Sequence, residues 1–282
     1  MTTTALDARW AAFLAGLSRG WIETRQTFTE AVTLIVLWFP PVMWVVILLA
    51  LRKITVPGTH FSPATIALPG FLCMSIILGG LSGPAGGITA DREDGTLLRA
   101  KATPNGMIGY LVGKIVLCTL ATLISCIVIL VPGVLIVPHL ILDARTWLLL
   151  TLIFVVGMVS TVPLGVALGA VMKPSQVPLV PLVAMITTTI SGVFFPLTLM
   201  PMWLQALARD LPVYWVGLGI RSAMLPPDMV AAEISNWRMV EMFAVPAAWA
   251  AVGLLLAPML LRRMARRQSG SALAKVRASK GY

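Results

Sequence analysis

The chain has 282 residues, of which 58% are hydrophobic and 11% are charged, and its mean hydropathy is +0.92. A water-soluble domain of this length cannot bury so much apolar side chain, so a soluble enzyme is excluded and a polytopic membrane protein is predicted. The formal charge of +10 does not indicate nucleic acid, because the basic residues cluster at both termini and in loops beside apolar runs, as is typical near an anionic membrane surface.

The first segment, residues 6–29, is predicted to form an amphipathic helix. One face at helical spacing carries Trp10, Phe13, Leu14, Leu17, Trp21 and Phe28. Two tryptophans with basic neighbours favour a helix that lies in the membrane interface, and packing against a soluble partner is the alternative.

Six stretches are apolar over the roughly 20 residues that a membrane-spanning helix needs. They are residues 31–51, 66–88, 108–131, 147–172, 179–200 and 239–261. The predicted fold class is therefore all-α and polytopic, with one domain over residues 1–282. No cleavable signal peptide is expected, because the first apolar run is long enough to span and follows a segment with acidic residues.

An even number of spans places both termini on one side of the membrane. The basic tail, residues 262–282, lies on that side, as do most of the 21 basic residues, so this side is predicted to be the cytoplasm. The basic residues on the other side are Arg52, Lys53, Arg145, Arg209, Arg221 and Arg238. Lys114, near the start of the third span, is expected to extend back to the cytoplasmic interface.

The longest cytoplasmic loop, residues 89–107, contains ITADREDGTLLRAKATP. A polar turn is predicted from Asp91 to Asp94, followed by Gly95 in the left-handed conformation and by Thr96 as the cap of a short helix. Pro104 and Gly106 are expected to end that helix. Its two leucines either meet a partner or belong to a solvated turn that only enforces topology, and the residues alone leave both open.

The external segment, residues 201–238, is too apolar for a free loop. One short helix is predicted after Pro201 and another before Pro226, both dipping into the outer leaflet. Such helices could line or close an exit path.

Catalytic motifs are weak throughout. Gly-Leu-Ser-Gly around Ser82 resembles the motif of rhomboid-like intramembrane proteases, but the only histidines, His60 and His139, fall in predicted external loops and cannot supply the base. Gly109 to Lys114 fails as a phosphate loop because its glycines are too close together and Ile115 replaces the Ser or Thr. No metal site or nucleotide site is predicted on this chain.

Glycines elsewhere in the spans indicate close helix packing, including Gly165 and Gly169 in the fourth span. The span centres carry essentially no ionisable residue, which disfavours an ion-coupled carrier or a selective channel, although either remains an alternative. The same feature favours bulky or amphipathic cargo moved by an outside energy source.

At two segments the sequence resembles the ABC-2 type permeases, the membrane subunits of bacterial ABC exporters. DREDGTLLRAKATP, residues 91–104, is similar to the family's charged, Gly-Thr-Leu, basic and Pro pattern. SGVFFPLTLMPMWLQALARDLPVYW, residues 191–215, is similar to its aromatic-Pro, Pro-x-Trp-Leu and Leu-Pro spacing. Asp91 stands where the family often has Glu, and Leu98 stands where an acidic residue often follows Gly-Thr-Leu.

The resemblance implies three sets of functional residues. The segment that couples to the ATPase comprises Asp91, Arg92, Glu93, Asp94, Gly95, Thr96, Leu97, Leu98 and Arg99. The connecting helix, which also touches the ATPase, carries Trp10, Phe13, Leu14, Leu17 and Trp21. The external gate comprises Phe194, Phe195, Pro196, Pro201, Trp203, Leu204, Pro212 and Trp215.

The resemblance also implies the assembly. Two ATP-binding subunits would hold ATP and Mg²⁺, and a second permease chain, identical or a sister subunit, would complete the path. Export of a drug, lipid or glycolipid across a bacterial inner membrane is the expected function, with both termini in the cytoplasm.

Overall fold

The computed structural model describes residues 5–54, 62–103, 105–138, 140–194, 197, 200–226 and 238–267. Within these ranges the chain is helical without strands, which confirms the all-α class. The helices of the described residues are α1 (Ala5–Thr27), α2 (Ala31–Leu51), α3 (Pro63–Glu93), α4 (Thr96–Ala102), α5 (Gly106–Ile136), α6 (Ala144–Val171), α7 (Leu179–Ile190), α8 (Met202–Asp210), α9 (Pro212–Met224) and α10 (Met239–Arg267), with a 3-10 turn at Pro174–Gln176.

Five helices in the described residues are long and apolar enough to cross a membrane, namely α2, α3, α5, α6 and α10. The predicted continuous span over residues 179–200 is wrong at its C-terminal end, because α7 has only 12 residues and ends at Ile190. Such a helix is about 18 Å long, against roughly 30 Å of hydrocarbon. The chain turns at Ser191 and at Gly192, whose φ of 64° is in the left-handed region. The count of six spans stays a prediction.

Helix α3 lies at the centre of the bundle, with α5 on one side and α6 on another. Small residues allow the close approach, since Gly79 faces the Thr122 side chain of α5 and Gly80 faces Thr161 of α6. A Cβ added at Gly165 would lie 2.6 Å from the Gly80 carbonyl oxygen. Gly165 therefore packs against α3 of the same chain, as its predicted role in helix packing requires.

The two short helices predicted after Pro201 and before Pro226 are present as α8 and α9. Helix α9 is buried along almost its whole length against α3, α6 and α10, whereas α8 lies on the surface. Thr146 near the start of α6 links to α9, with its Oγ1 2.9 Å from the Ala223 carbonyl oxygen. Hydrogen bonds from Thr146 also hold the pKa of the Asp143 carboxyl below its ordinary value.

Helix α2 lies at the edge of the bundle, against α5 and α3. Its C-terminal half is anchored by Leu48, which is fully buried, and by Trp44, whose ring stacks on Phe71 of α3 at 5.7 Å. Pro40 and Pro41 lie within the helix and cannot donate backbone hydrogen bonds to the preceding turn. The two halves of α2 are therefore joined by a weakened helical turn.

Candidate functional site

A charged turn at Asp94 and Gly95 joins α3 to α4. We call the end of the helix bundle that carries this turn the turn end. Gly95 has a φ of 80°, as predicted, and occupies the N-cap position of α4. The amide of Thr96 donates to Asp94 Oδ1 at 2.8 Å, so Asp94 and not Thr96 supplies the capping side chain, and that prediction is wrong. The predicted polar turn over residues 91–94 is also too long, because α3 continues through Glu93.

The exposed part of this segment is small. Glu93, Asp94 and Arg99 are exposed and Leu98 is half-buried. Leu97 is 1% exposed and belongs to the core between α3, α4 and α5. Of the two leucines proposed to meet a partner, only Leu98 is therefore within reach of one. Helix α4 ends at Ala102, and the predicted stop at Pro104 lies outside the described residues.

Asp91 is directed into the protein. Tyr110 Oη donates to Asp91 Oδ2 at 2.7 Å, and Lys114 Nζ lies 2.8 Å from the same oxygen. Both partners belong to α5 and both are buried. The Lys114 ammonium is held inside the protein by two carboxylates, and its expected position at the cytoplasmic interface stays a prediction. Asp91 therefore fixes the end of α3 to α5 and is not part of the exposed surface of the turn.

Arg92 holds the opposite side of the turn. Its Nη2 donates to the Met172 carbonyl oxygen at 2.9 Å, and its Nη1 lies 3.9 Å from Met264 Sδ. Met172 is the C-cap of α6, so the guanidinium sits at the negative end of that helix. Met264 is in α10, and Arg92 thus connects the turn to two further helices.

Helix α1 joins the same cluster through Glu23. Glu23 Oε2 lies 3.3 Å from Lys114 Nζ, and Arg19 Nε donates to Glu23 Oε1 at 2.7 Å. The Arg19 guanidinium lies 5.3 Å from the centre of the Tyr110 ring. Two cations and two carboxylates balance one another, which meets the requirement that charges in a low-dielectric site be paired.

Glycines set α1 directly on the backbone of α5. A Cβ added at Gly16 would lie 2.6 Å from the Gly109 carbonyl oxygen, and one at Gly20 would lie 2.7 Å from that of Gly113. Each helix thus contributes a small-x-x-x-small pair to the crossing. This contact between α1 and α5 is not predicted from hydropathy. Its signal is the repeated four-residue spacing in GLSRG and GYLVG.

The aromatic face predicted for α1 is turned away from the bundle. Trp10 and Trp21 are 62% and 63% exposed, and Leu14 and Leu17 are exposed as well. Phe13 is half-buried and stacks on Trp10 at 5.4 Å. The face that packs on α5 is the stripe of small residues roughly a third of a turn away. A membrane-surface location for the aromatic face stays a prediction.

The described residues among those predicted for an external gate have different environments, and the gate itself stays a prediction. Phe194 packs on Phe71 at 5.6 Å, and Trp215 is buried in α9 with its Nε1 donating to the Arg209 carbonyl oxygen at 2.7 Å. Trp203 is 70% exposed on α8. The remaining predicted residues are Pro201 and Leu204 at the start of α8, Pro212 as the first residue of α9, and Phe195 and Pro196, which lie outside the described residues.

The residues considered for catalysis or metal binding do not form a recognisable site within the described part of the chain. Ser82 is within α3, and both histidines of the protease alternative lie outside the described residues. Among the described residues, no group of three or more His, Cys, Asp or Glu could hold a metal ion. The cysteines Cys73, Cys118 and Cys126 are buried as free thiols.

A family model described as ABC-2 type transporter matches residues 12–225, which is more than half of the chain. The match includes the charged cluster, the turn, α4 and both short helices α8 and α9. No curated protein matches the sequence.

Proposed function

Because the chain belongs to the ABC-2 type transporter family, we propose that it is the membrane-spanning subunit of an exporter driven by a separate ATP-binding subunit. The family supports a permease subunit of an ABC transporter, whose ATPase site is on a partner. The direction of transport, the cargo and the coupling to ATP are part of the proposal.

One observation supports the coupling part of the proposal above all others. The residues Glu93, Asp94 and Arg99 are exposed around the turn. Its two inward neighbours, Asp91 and Arg92, contact α5, the end of α6 and α10, and Asp91 is connected to α1 through Lys114. A push on this turn therefore reaches α1 and α5 on one side and α6 and α10 on the other. Rigid elements connected in this way are suited to transmit a domain movement.

We propose that the turn end faces the cytoplasm. The bias of basic residues supports this orientation, with both termini on the cytoplasmic side of a bacterial inner membrane. ATP and Mg²⁺ would bind to the partner subunit, present in two copies. A second permease chain, either identical or a sister subunit, would complete the transport path.

The proposed cargo is an amphipathic drug, lipid or glycolipid. The described surfaces of α2, α5, α7 and α10 expose large apolar side chains. Few charged side chains interrupt them, so the available surface suits a cargo with apolar parts. A protease or an ion-driven carrier receives no comparable support.

The experiment is co-expression with an ATP-binding protein encoded beside this chain, followed by reconstitution into liposomes. We expect the two proteins to co-purify and an NBD-labelled phospholipid to move between leaflets, as measured by dithionite quenching, only when ATP is present. A Glu93→Lys/Asp94→Lys variant should lose this movement while inserting normally. Transport by the chain alone, driven by an ion gradient, would contradict the proposal.

A further inference from the structure

We propose that Arg209 and Asp210 are specificity-determining residues that bind the phosphate and the amine of a zwitterionic lipid headgroup near the middle of the membrane. Both residues lie where α8 ends and the chain turns into α9, at residues 209–211, which we call the hairpin tip. The inference rests on the proposed function and deepens it, because it names the class of cargo that the transporter would move.

The hairpin tip lies as deep in the bundle as the middle of the long helices. A Cβ added at Gly157, in the middle of α6, would lie 2.7 Å from Ile76 of α3 and 3.5 Å from Val216 of α9. Helix α9 runs from this level to the end opposite the turn end, where the Ala223 carbonyl accepts a hydrogen bond from Thr146. The start of α9 and the hairpin tip before it are therefore at least as deep as the centre of α6.

The contact with α10 gives a similar depth. Trp249 Nε1 donates to the Asp210 carbonyl oxygen at 2.8 Å, and Trp249 lies within the membrane-spanning part of α10, Val240–Met264. At 1.5 Å per residue, Trp249 is about 14 Å from the nearer end of that part. The midplane of a hydrocarbon core roughly 30 Å thick is roughly 15 Å from its surface. The hairpin tip is therefore held near the membrane midplane.

The charged side chains of the hairpin tip are on the outside of the chain. Arg209 and Asp210 are both exposed, and Arg209 Nη2 lies 3.4 Å from Gln205 Oε1. No ion pair joins either charge to another residue that the structure describes. Unpaired charges at this depth are costly against acyl chains and occur where they face water or protein. The hairpin tip therefore borders a water-filled recess, which opens towards the end to which α9 leads.

The two side chains match the two charges of a zwitterionic headgroup. A guanidinium binds a phosphate group through paired hydrogen bonds, and a carboxylate next to it accepts hydrogen bonds from an ammonium group. Met202, Trp203 and Leu207 are exposed on the same helix and offer apolar surface to acyl chains. Phosphatidylethanolamine combines all three features, so it is the proposed cargo class.

The first test measures whether water reaches the hairpin tip. Asp210→Cys is compared with Val159→Cys, at an exposed apolar position of α6 two residues from Gly157. The complex in right-side-out vesicles without nucleotide is treated with the membrane-impermeant thiol reagent MTSET, and the buried native cysteines give the background. We expect Asp210→Cys to react at least tenfold faster. Equal rates would overturn the inference, as would a disulfide between two copies of Asp210→Cys, which would place the hairpin tip in a contact between chains.

The second test measures headgroup specificity in the liposome assay. It compares acyl-labelled NBD-phosphatidylethanolamine with NBD-phosphatidylglycerol, which has the phosphate but no amine. Asp210→Asn should lower the ratio of phosphatidylethanolamine to phosphatidylglycerol movement at least fivefold. Arg209→Gln should lower ATP-driven movement of both lipids at least fivefold, and Arg209→Lys should recover part of it. The matched control is Arg145→Gln, an exposed arginine near the start of α6, which should leave both lipids as in the wild type.

The outcomes separate this inference from the proposed function. An unchanged lipid ratio in Asp210→Asn, or undiminished phospholipid movement in Arg209→Gln, would overturn the inference even if ATP-driven transport is intact. A wild type that exports an amphipathic drug with ATP but moves neither phospholipid would also overturn it. Absence of ATP-driven movement of any cargo in the wild type would instead contradict the proposed function, and the MTSET test would still decide whether the hairpin tip is in water.

Discussion

Asp91 and Arg92 are adjacent in the sequence, yet their side chains hold different parts of the bundle. Asp91 contacts Tyr110 and Lys114 on α5, whereas Arg92 contacts the Met172 carbonyl at the end of α6. Consecutive residues of a helix are about 100° apart around its axis, which permits this divergence. The turn after Arg92 is therefore fixed to α5 by one residue and to the end of α6 by the other.

Charge reversal should mainly weaken partner binding at the exposed acidic residues of this segment and mainly lower stability at the inward one. Glu93→Lys/Asp94→Lys should weaken binding of the ATP-binding subunit by at least tenfold, because both carboxylates are on the surface. The melting temperature should fall only slightly, because Glu93 is on the surface and loss of the Asp94 cap of α4 costs about 0.5–2 kcal/mol. Asp91→Lys should lower the melting temperature considerably more, because it breaks the buried pair and places a cation beside Lys114. Equal thermal stability of the two variants would contradict the inward position of Asp91.

Removal of the buried cation should be strongly destabilising. Lys114→Met leaves Asp91 and Glu23 without their ammonium, and breaking a buried pair in this way typically costs about 3–5 kcal/mol. Thermal unfolding in detergent measures the effect. Lys53→Met, at an exposed position, is the matched control and should change stability little. Adding Asp91→Asn should recover part of the loss.

The contact between α1 and α5 should not tolerate a side chain at Gly20. Gly20→Val would place a Cβ 2.7 Å from the Gly113 carbonyl oxygen and should cost about 1–3 kcal/mol or displace α1. Limited proteolysis of α1 reports the displacement. Ala15→Val, on the exposed face of the same helix, should leave the cleavage pattern unchanged.

Gly95 should tolerate asparagine but not valine. A Cβ at this position would meet no atom within 4 Å, so the penalty comes from the φ of 80° alone. We expect Gly95→Val to cost about 1–2 kcal/mol and to alter the turn, while asparagine adopts the left-handed region more readily. Partner binding and transport in the two variants measure the difference, and equal loss in both would show that side-chain bulk and not backbone conformation decides.

Ser82→Ala should leave ATP-driven transport unchanged. The Ser82 hydroxyl is buried without a hydrogen-bond partner among the described residues, so its removal breaks no contact there. The measurement is the same lipid-movement assay, with a casein-type protease assay beside it. Proteolysis that disappears in this variant would instead support the intramembrane protease alternative.

Several local features could be predicted because they depend on neighbours in the sequence. The left-handed Gly95, the short helix after it and the two helices bounded by Pro201 and Pro226 follow from turn and capping preferences. The end of the helix at Ile190 was missed, because a hydropathy window continues through apolar residues and does not detect a left-handed Gly192.

Composition and periodicity alone determined that this chain is a helical membrane protein with a charged loop, since these properties depend on how much apolar surface there is and how it repeats. Only the tertiary structure decided that Asp91 faces inward, that Lys114 is buried, and that α1 presents glycines and not aromatic residues to α5. Glu23, Asp91 and Lys114 are far apart in sequence, and an ionic contact between them depends on which faces of three helices meet. That choice is made by packing of small residues against backbone, which sequence periodicity does not encode.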